Sequence, residues 1–130
     1  MSQNVIRHLA LLAVDEAAGE ARRRYITDVS GQEAVYITKL GEAQAYIAGI
    51  VDDVPTVAAG PYIAAEAAVR GITHREQAEL VAGLAAQWNG VLGPAIEAAR
   101  MAGKLAVEAA ETIEAIEAAR DAAVATLNAI

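Results

Sequence analysis

Alanine fills about a quarter of this chain, and phenylalanine is absent. That bias narrows the folds open to it. Alanine is the strongest helix former, because its methyl group has no side-chain entropy to lose. The same methyl group buries little area, and apolar burial stabilises at roughly 25 cal/mol per Å². Helices built this way must approach one another closely or gain cover from other chains. The length, 130 residues, fits one domain, and small domains bury a smaller share of their surface. The expected fold is therefore all-α: a helical bundle with a long, kinked C-terminal helix, associating into an oligomer through Ala-rich seams.

Periodicity predicts the elements. Over Asn4 to Thr27, the residues Val5, Leu9, Leu12, Ala13, Ala17 and Ala21 recur at helical spacing. Asp28, Ser30 and Gly31 then punctuate the chain. A second helix is expected from Gln32 to Ala48, where Tyr36, Leu40, Ala43, Ile47 and Ile50 step by four and three, as in a seam facing another helix. Val51 to Gly60 reads as a loop. Pro61 suits the first position of a helix to Arg70, with Gly71 just past its end. Thr73 and Glu76 form a capping box, a Thr hydroxyl and a Glu carboxylate spaced to satisfy free N–H groups at a helix start.

From Thr73 onward the pattern is one long helical region. Leu84, Trp88, Val91, Ala95, Ala98, Ala102, Leu105 and Ala109 form its seam. It resumes at Ile113, Ile116, Ala123, Leu127 and Ile130. Breaks are expected at residues 90–94, where Pro94 lacks the N–H owed to Gly90, and at 110–113, where the seam shifts phase and Thr112 can cap a separate helix. The division expected is thus 1–72, helical, and 73–130, a long helical region, within a single domain. Glu97, Arg100, Lys104 and Glu108 read as a solvated stripe opposite the seam.

Composition and motifs exclude several classes of chemistry. A net charge of −7 repels phosphate, so no nucleic-acid partner is expected. The longest uncharged run, Leu80 to Ile96, is short for a membrane span of about 20 residues and carries Gly and Pro; no membrane insertion and no signal sequence are expected. There is no cysteine, and His8 and His74 stand in no metal-ligand spacing. Asp52-Asp53 reads as an acidic turn. The basic triplet Arg22-Arg23-Arg24 reads as a solvated face, or as an ion-pair partner for another subunit. No phosphate loop and no nucleophile elbow are present, so no catalytic residue, cofactor or metal is assigned and the chain is read as no enzyme.

The segments Arg24–Thr27, GQEAVYITKLGEAQAYIA (Gly31 to Ala48), PYIAAEAAVRGIT (Pro61 to Thr73) and His74 to Thr112 carry a resemblance. Val35-Tyr36, Lys39 and Glu42-Ala43, the ITHRE helix start, the Trp that follows, and IEAAR from Ile96 to Arg100 are similar to an uncharacterised domain of bacteriophage tail and tail-fibre-associated proteins. The resemblance spans roughly residues 15–115 and includes no catalytic residue. It implies a virion structural protein of the tail, a connector or fibre-associated subunit, present in the host cytoplasm during assembly. The partners implied are copies of the chain, three as the first expectation, and other tail or fibre proteins. An assembly chaperone left out of the finished particle is the alternative. The residues expected at the oligomer interface are Leu84, Trp88, Val91, Leu105, Ile113, Ile116 and Leu127.

Overall fold

Helix-forming sequence and clear stop signals make the described residues mostly helical, with six α-helices among them. The computed structural model describes residues 1–26 and 32–130. The expected helix end at Thr27 and the punctuation at Asp28, Ser30 and Gly31 lie outside the described residues. The elements are α1 (Gln3–Arg23), α2 (Gln32–Ala48), β1 (Ile50–Val51), β2 (Val54–Pro55), α3 (Pro61–Arg70), α4 (His74–Gln87), a π turn (Trp88–Leu92), α5 (Gly93–Ala109) and α6 (Ile113–Asn128).

Local chemistry sets most boundaries. The Ser2 hydroxyl accepts from the Val5 N–H and caps α1. Pro61 occupies the first turn of α3, and Gly71 ends it in the left-handed conformation at φ 70. The Thr73 hydroxyl accepts from the Glu76 N–H at 3.0 Å and donates to the Glu76 carboxylate at 3.1 Å. Thr112 caps α6 by accepting from the Ala115 N–H at 3.0 Å. The α-helical pattern is broken just ahead of Pro94 by one π turn, whose wider hydrogen bonding accommodates the donor that proline lacks.

The loop expected over Val51 to Gly60 is partly a β-hairpin. Ile50 pairs with Pro55 and Val51 with Val54. Asp52 and Asp53 both take positive φ, 51 and 66, the geometry a tight two-residue hairpin needs. The β-branched flanks suit strands, and Asp tolerates the left-handed region better than most residues.

Two compact units result, and they do not follow a division at residues 72 and 73. Among the described residues one takes 1–26 with 89–130, and the other takes 32–88. In the first, α1, α5 and α6 each contact the other two. Its core holds Val14, Ile96, Val107, Ile116 and Leu127 beside Ala10, Ala18 and Ala21. Gly103 marks the closest approach: a Cβ there would lie 2.5 Å from that of Ala123 and 3.3 Å from Val14. In the second, α2, α3 and α4 gather around Ala43, Tyr46, Ile63, Ala78 and Val81, with Ile47 and Ile50 packed alongside.

Candidate assembly interface

Which face of a helix meets its neighbours decides what is left for a partner. On α5 the buried positions are Ile96, Gly103 and Val107. The charged residues next to them turn toward α1. Arg100 binds Asp15 at 3.0 Å and Glu97 at 2.7 Å, Lys104 binds Asp15 at 2.9 Å, and Arg22 binds Glu97 at 2.8 Å. Arg100 and Lys104 are therefore no solvated stripe: their side chains are about 28–29% exposed and tie α5 to α1. Contact with Lys104 first, and with Arg100, holds the Asp15 carboxyl below its ordinary value of 3.8. Contact with Arg100 first, then Arg22, holds Glu97 below 4.5. Both carboxylates raise the guanidinium of Arg100, Glu97 most.

The basic residues of α1 serve this same unit. The Arg7 guanidinium donates to the carbonyls of Val107 at 2.7 Å, Glu108 at 3.1 Å and Ala110 at 2.8 Å. A cation thereby sits on the free carbonyls at the negative end of α5. Arg24 does the same for α6 through the Leu127 carbonyl at 2.8 Å, and the Tyr25 hydroxyl donates to the Ile130 carbonyl. Arg22 and Arg24 of the basic triplet thus act within their own chain, not as a free face for a second subunit.

What remains outward on α5 and the π turn before it is mostly apolar, Glu108 excepted. Val91 and Leu105 are each 62% exposed and Met101 is 53% exposed. Ala95, Ala98, Ala102 and Ala109 are exposed between and beyond them. Met101 apart, these are positions that the spacing groups together, and no described element of the first unit covers them. Outward residues on α6 are mixed: Glu114, Glu117 and Asp121 are exposed, and so are Ala115, Ala118, Ala122 and Ala125.

The seven expected interface residues separate accordingly. Val91, Leu105 and Ile113 (39% exposed) are open on the first unit. Leu84, 56% exposed, and the half-buried Trp88 belong to the second. Ile116 and Leu127 correct the expectation: each is fully buried in the core of α1, α5 and α6. Past the phase shift at Thr112 the seam of α6 turns inward, so those two side chains are already covered by their own chain. Of the two routes to cover for methyl-rich faces, close approach within the chain serves part of the first unit. Ala10, Ala18, Ala21 and Gly103 are covered within the chain. Exposed apolar residues not assigned to an interface from sequence include Met101, Val69 at 89% and Ile37 at 64% in the second unit, and, on α1, Val5, Leu9 and Leu12 at 45%, 49% and 50%. The last three share the helical spacing of Ala17 and Ala21, but the buried residues of α1 are Ala10, Val14, Ala17, Ala18 and Ala21.

In the second unit polar contacts are internal. The Glu42 carboxylate of α2 accepts from the Tyr62 and Ile63 N–H groups at 2.9 and 3.2 Å, capping α3 where Gly60 offers no side chain. Lys39 pairs with Glu66 at 2.8 Å, and the buried Gln77 amide donates to Glu66 at 2.8 Å. Lys39 and Glu66, with Val69 and Arg70, line an open depression of about 450 Å³. Asp53 binds Arg75 at 2.7 Å, which raises the Arg75 guanidinium, Asp53 being the larger cause and Glu79 the next. His8 and His74 are both exposed. Among the described residues no cluster of three or more His, Cys, Asp or Glu is placed to hold a metal ion, and no helix is long and apolar enough to cross a membrane. No family model, no curated protein and no solved structure matches this chain.

Proposed function

We propose that this protein is a non-enzymatic structural subunit that acts by assembling with copies of itself. The observation that carries the reading is the uncovered apolar face of α5 and the π turn before it, with Val91, Met101 and Leu105 more than half exposed. Exposed apolar surface of this kind, continuous along a helix, marks a contact site more often than a solvated face. The role would be mechanical. Internal ion pairs and carbonyl caps hold α1, α5 and α6 to one another, and the outer face of α5 is left to meet another surface. The setting in a bacteriophage tail, as connector or fibre-associated subunit, and three copies as the first expectation, rest on the resemblance of residues 15–115.

Native mass spectrometry at micromolar concentration tests the assembly. The expected result is a discrete multiple of 13.4 kDa. A monomer at every concentration would overturn the reading. The acidic charge of −7 motivates a second reading, an assembly chaperone that binds tail proteins and leaves. Proteomics of purified particles separates the two, because a chaperone is absent from the finished tail.

A further inference from the structure

The outer face of α5 has an internal symmetry. Val91, Ala98 and Leu105 are spaced by seven, and Ala95, Ala102 and Ala109 are spaced by seven between them. This is the two-stripe spacing of a helix that packs along another helix. Reflected through Ala98, the pattern matches itself: Val91 and Leu105 lie seven residues to either side, and Ala95 and Met101 lie three. A large side chain on one side thus meets an apolar partner on the other. Met101 falls opposite a methyl group, and alanine meets alanine at the centre, where helix axes can approach to about 8 Å.

We infer that α5 pairs antiparallel with α5 of a second copy, about a twofold axis at Ala98. The inference rests on the self-assembly reading above and replaces its first expectation of three copies with two. Such a contact is isologous, using the same patch on both copies.

Charge selects this face over the others. Two chains of net charge −7 repel, so a self-contact needs a surface free of carboxylates. Of the four charged residues of α5, Glu97, Arg100 and Lys104 are engaged on the α1 side, which leaves Glu108 near the far end. On α6 the exposed alanines Ala115, Ala118, Ala122 and Ala125 carry no large apolar side chain among them, and Glu114, Glu117 and Asp121 stand next to them in sequence. The exposed apolar face of α1 runs only from Val5 to Leu12.

Size sets the strength. A standard interface takes about a tenth of a small protein's surface from each partner, and this chain exposes 7849 Å². The face from Val91, in the π turn, to Ala109 at the end of α5 is about 27 Å long and about 10 Å wide, well under that tenth, which makes the pair a weak, transient contact with dissociation expected at high micromolar concentration.

The chain has no cysteine, so single thiols report contacts directly. A disulfide needs Cα atoms about 4.4–6.8 Å apart. Under mild oxidation Ala98→Cys is expected to crosslink to itself, the double variant Val91→Cys/Leu105→Cys to crosslink between copies, and Glu117→Cys on α6 to stay unlinked. Leu105→Lys, at an exposed site, is expected to lower the mass in light scattering from twice 13.4 kDa to that value with the helical circular dichroism unchanged. An assembly that is trimeric, or that survives Leu105→Lys with no crosslink from Ala98→Cys, overturns the twofold pairing and leaves self-assembly standing. Loss of assembly in Leu9→Lys, with Leu105→Lys silent, moves the contact to α1 and also overturns it. A chain that is monomeric throughout overturns both.

Discussion

The two units are held together over different distances along the chain. In the second, side-chain bonds join near neighbours: Gln77 to Glu66 over 11 residues, Glu42 to Tyr62 over 20, Arg75 to Asp53 over 22. In the first they join the two ends of the sequence: Arg7 to Val107 over 100, Arg24 to Leu127 over 103, Gln3 to Glu111 over 108. Contacts between distant residues must overcome more loop-closure entropy before they stabilise. The first unit answers with several such links in parallel, whereas the second relies on turns, caps and one apolar cluster. Robustness and fragility should therefore fall in different places.

The largest expected effect is in the second unit, where Ile63 is the one large aliphatic side chain fully buried in the cluster. Ile63→Ala is expected to cost about 3 kcal/mol, within the range for buried isoleucine. Hydrogen exchange should show the loss in α3 and its neighbours α2 and α4. Equal loss of protection in α1 and α6 would break the contrast, since it would mean that one cooperative core spans the described residues.

Close approach makes the first unit sensitive in the opposite sense, to added volume. Gly103→Val would drive a branched side chain into Ala123 and Val14, at an expected cost of about 2–3 kcal/mol from overpacking. A urea midpoint unchanged from the parent would show that the helices separate without penalty. Arg7→Met tests the long-range ties. It keeps the apolar stem but leaves three carbonyls at the end of α5 without their charged donor, and about 1–2 kcal/mol should be lost. Fraying should begin at Val107–Ala110, read by exchange at those amides.

The same division governs what was legible in the sequence. Signals that act between neighbours were readable: Pro61, Gly71, the Thr73–Glu76 pair and Thr112 stand at helix ends, and Ala43 and Ile47 of the predicted α2 seam do belong to a core cluster. Facing was not readable where helices are apolar on more than one side. Val5, Leu9 and Leu12 share the spacing of Ala17 and Ala21, yet they stay exposed while Ala10, Val14, Ala17, Ala18 and Ala21 are inside. On α1 mostly small residues face inward, and the large side chains that fill this core come chiefly from α5 and α6. Arg100 and Lys104 misled for a related reason, since charge alone suggested solvent while their partner Asp15 lies 85 or more residues away. The Asp52–Asp53 hairpin was missed because neither position is the Asn or Gly that usually announces such a turn.

Acid should separate the units further. The folded pKa values of Asp15 and Glu97 lie below their ordinary values. The contribution of each is therefore complete above its unfolded pKa and disappears as pH falls through the folded one. Thermal melts should be flat from pH 7 to about 5 and decline below pH 4. Asp15→Asn should lower the melting point at pH 7 by a few degrees and flatten the decline in acid. Both carboxylates are partly solvated, so the effect is modest. A decline of the same steepness in Asp15→Asn would mean that other groups drive acid unfolding.

The smallest effect has the opposite sign, and it separates the required glycines from the incidental ones. Gly41 lies within α2, and a Cβ there would meet nothing within 4 Å. Its backbone is helical, so alanine fits without strain and removes freedom from the unfolded chain. Gly41→Ala should stabilise by about 0.5–1 kcal/mol. The same change at Gly103 brings a similar helix-propensity gain but sets it against a collision with Ala123, and should come out neutral or unfavourable. Both residues read alike as glycines inside a helical pattern. The sign difference between them, measured in one denaturant series, isolates how much of the first unit's stability depends on helices touching at a point where no side chain fits. If Gly103→Ala proves as stabilising as Gly41→Ala, close approach does not constrain that unit and the contrast with the second reduces to contact range alone.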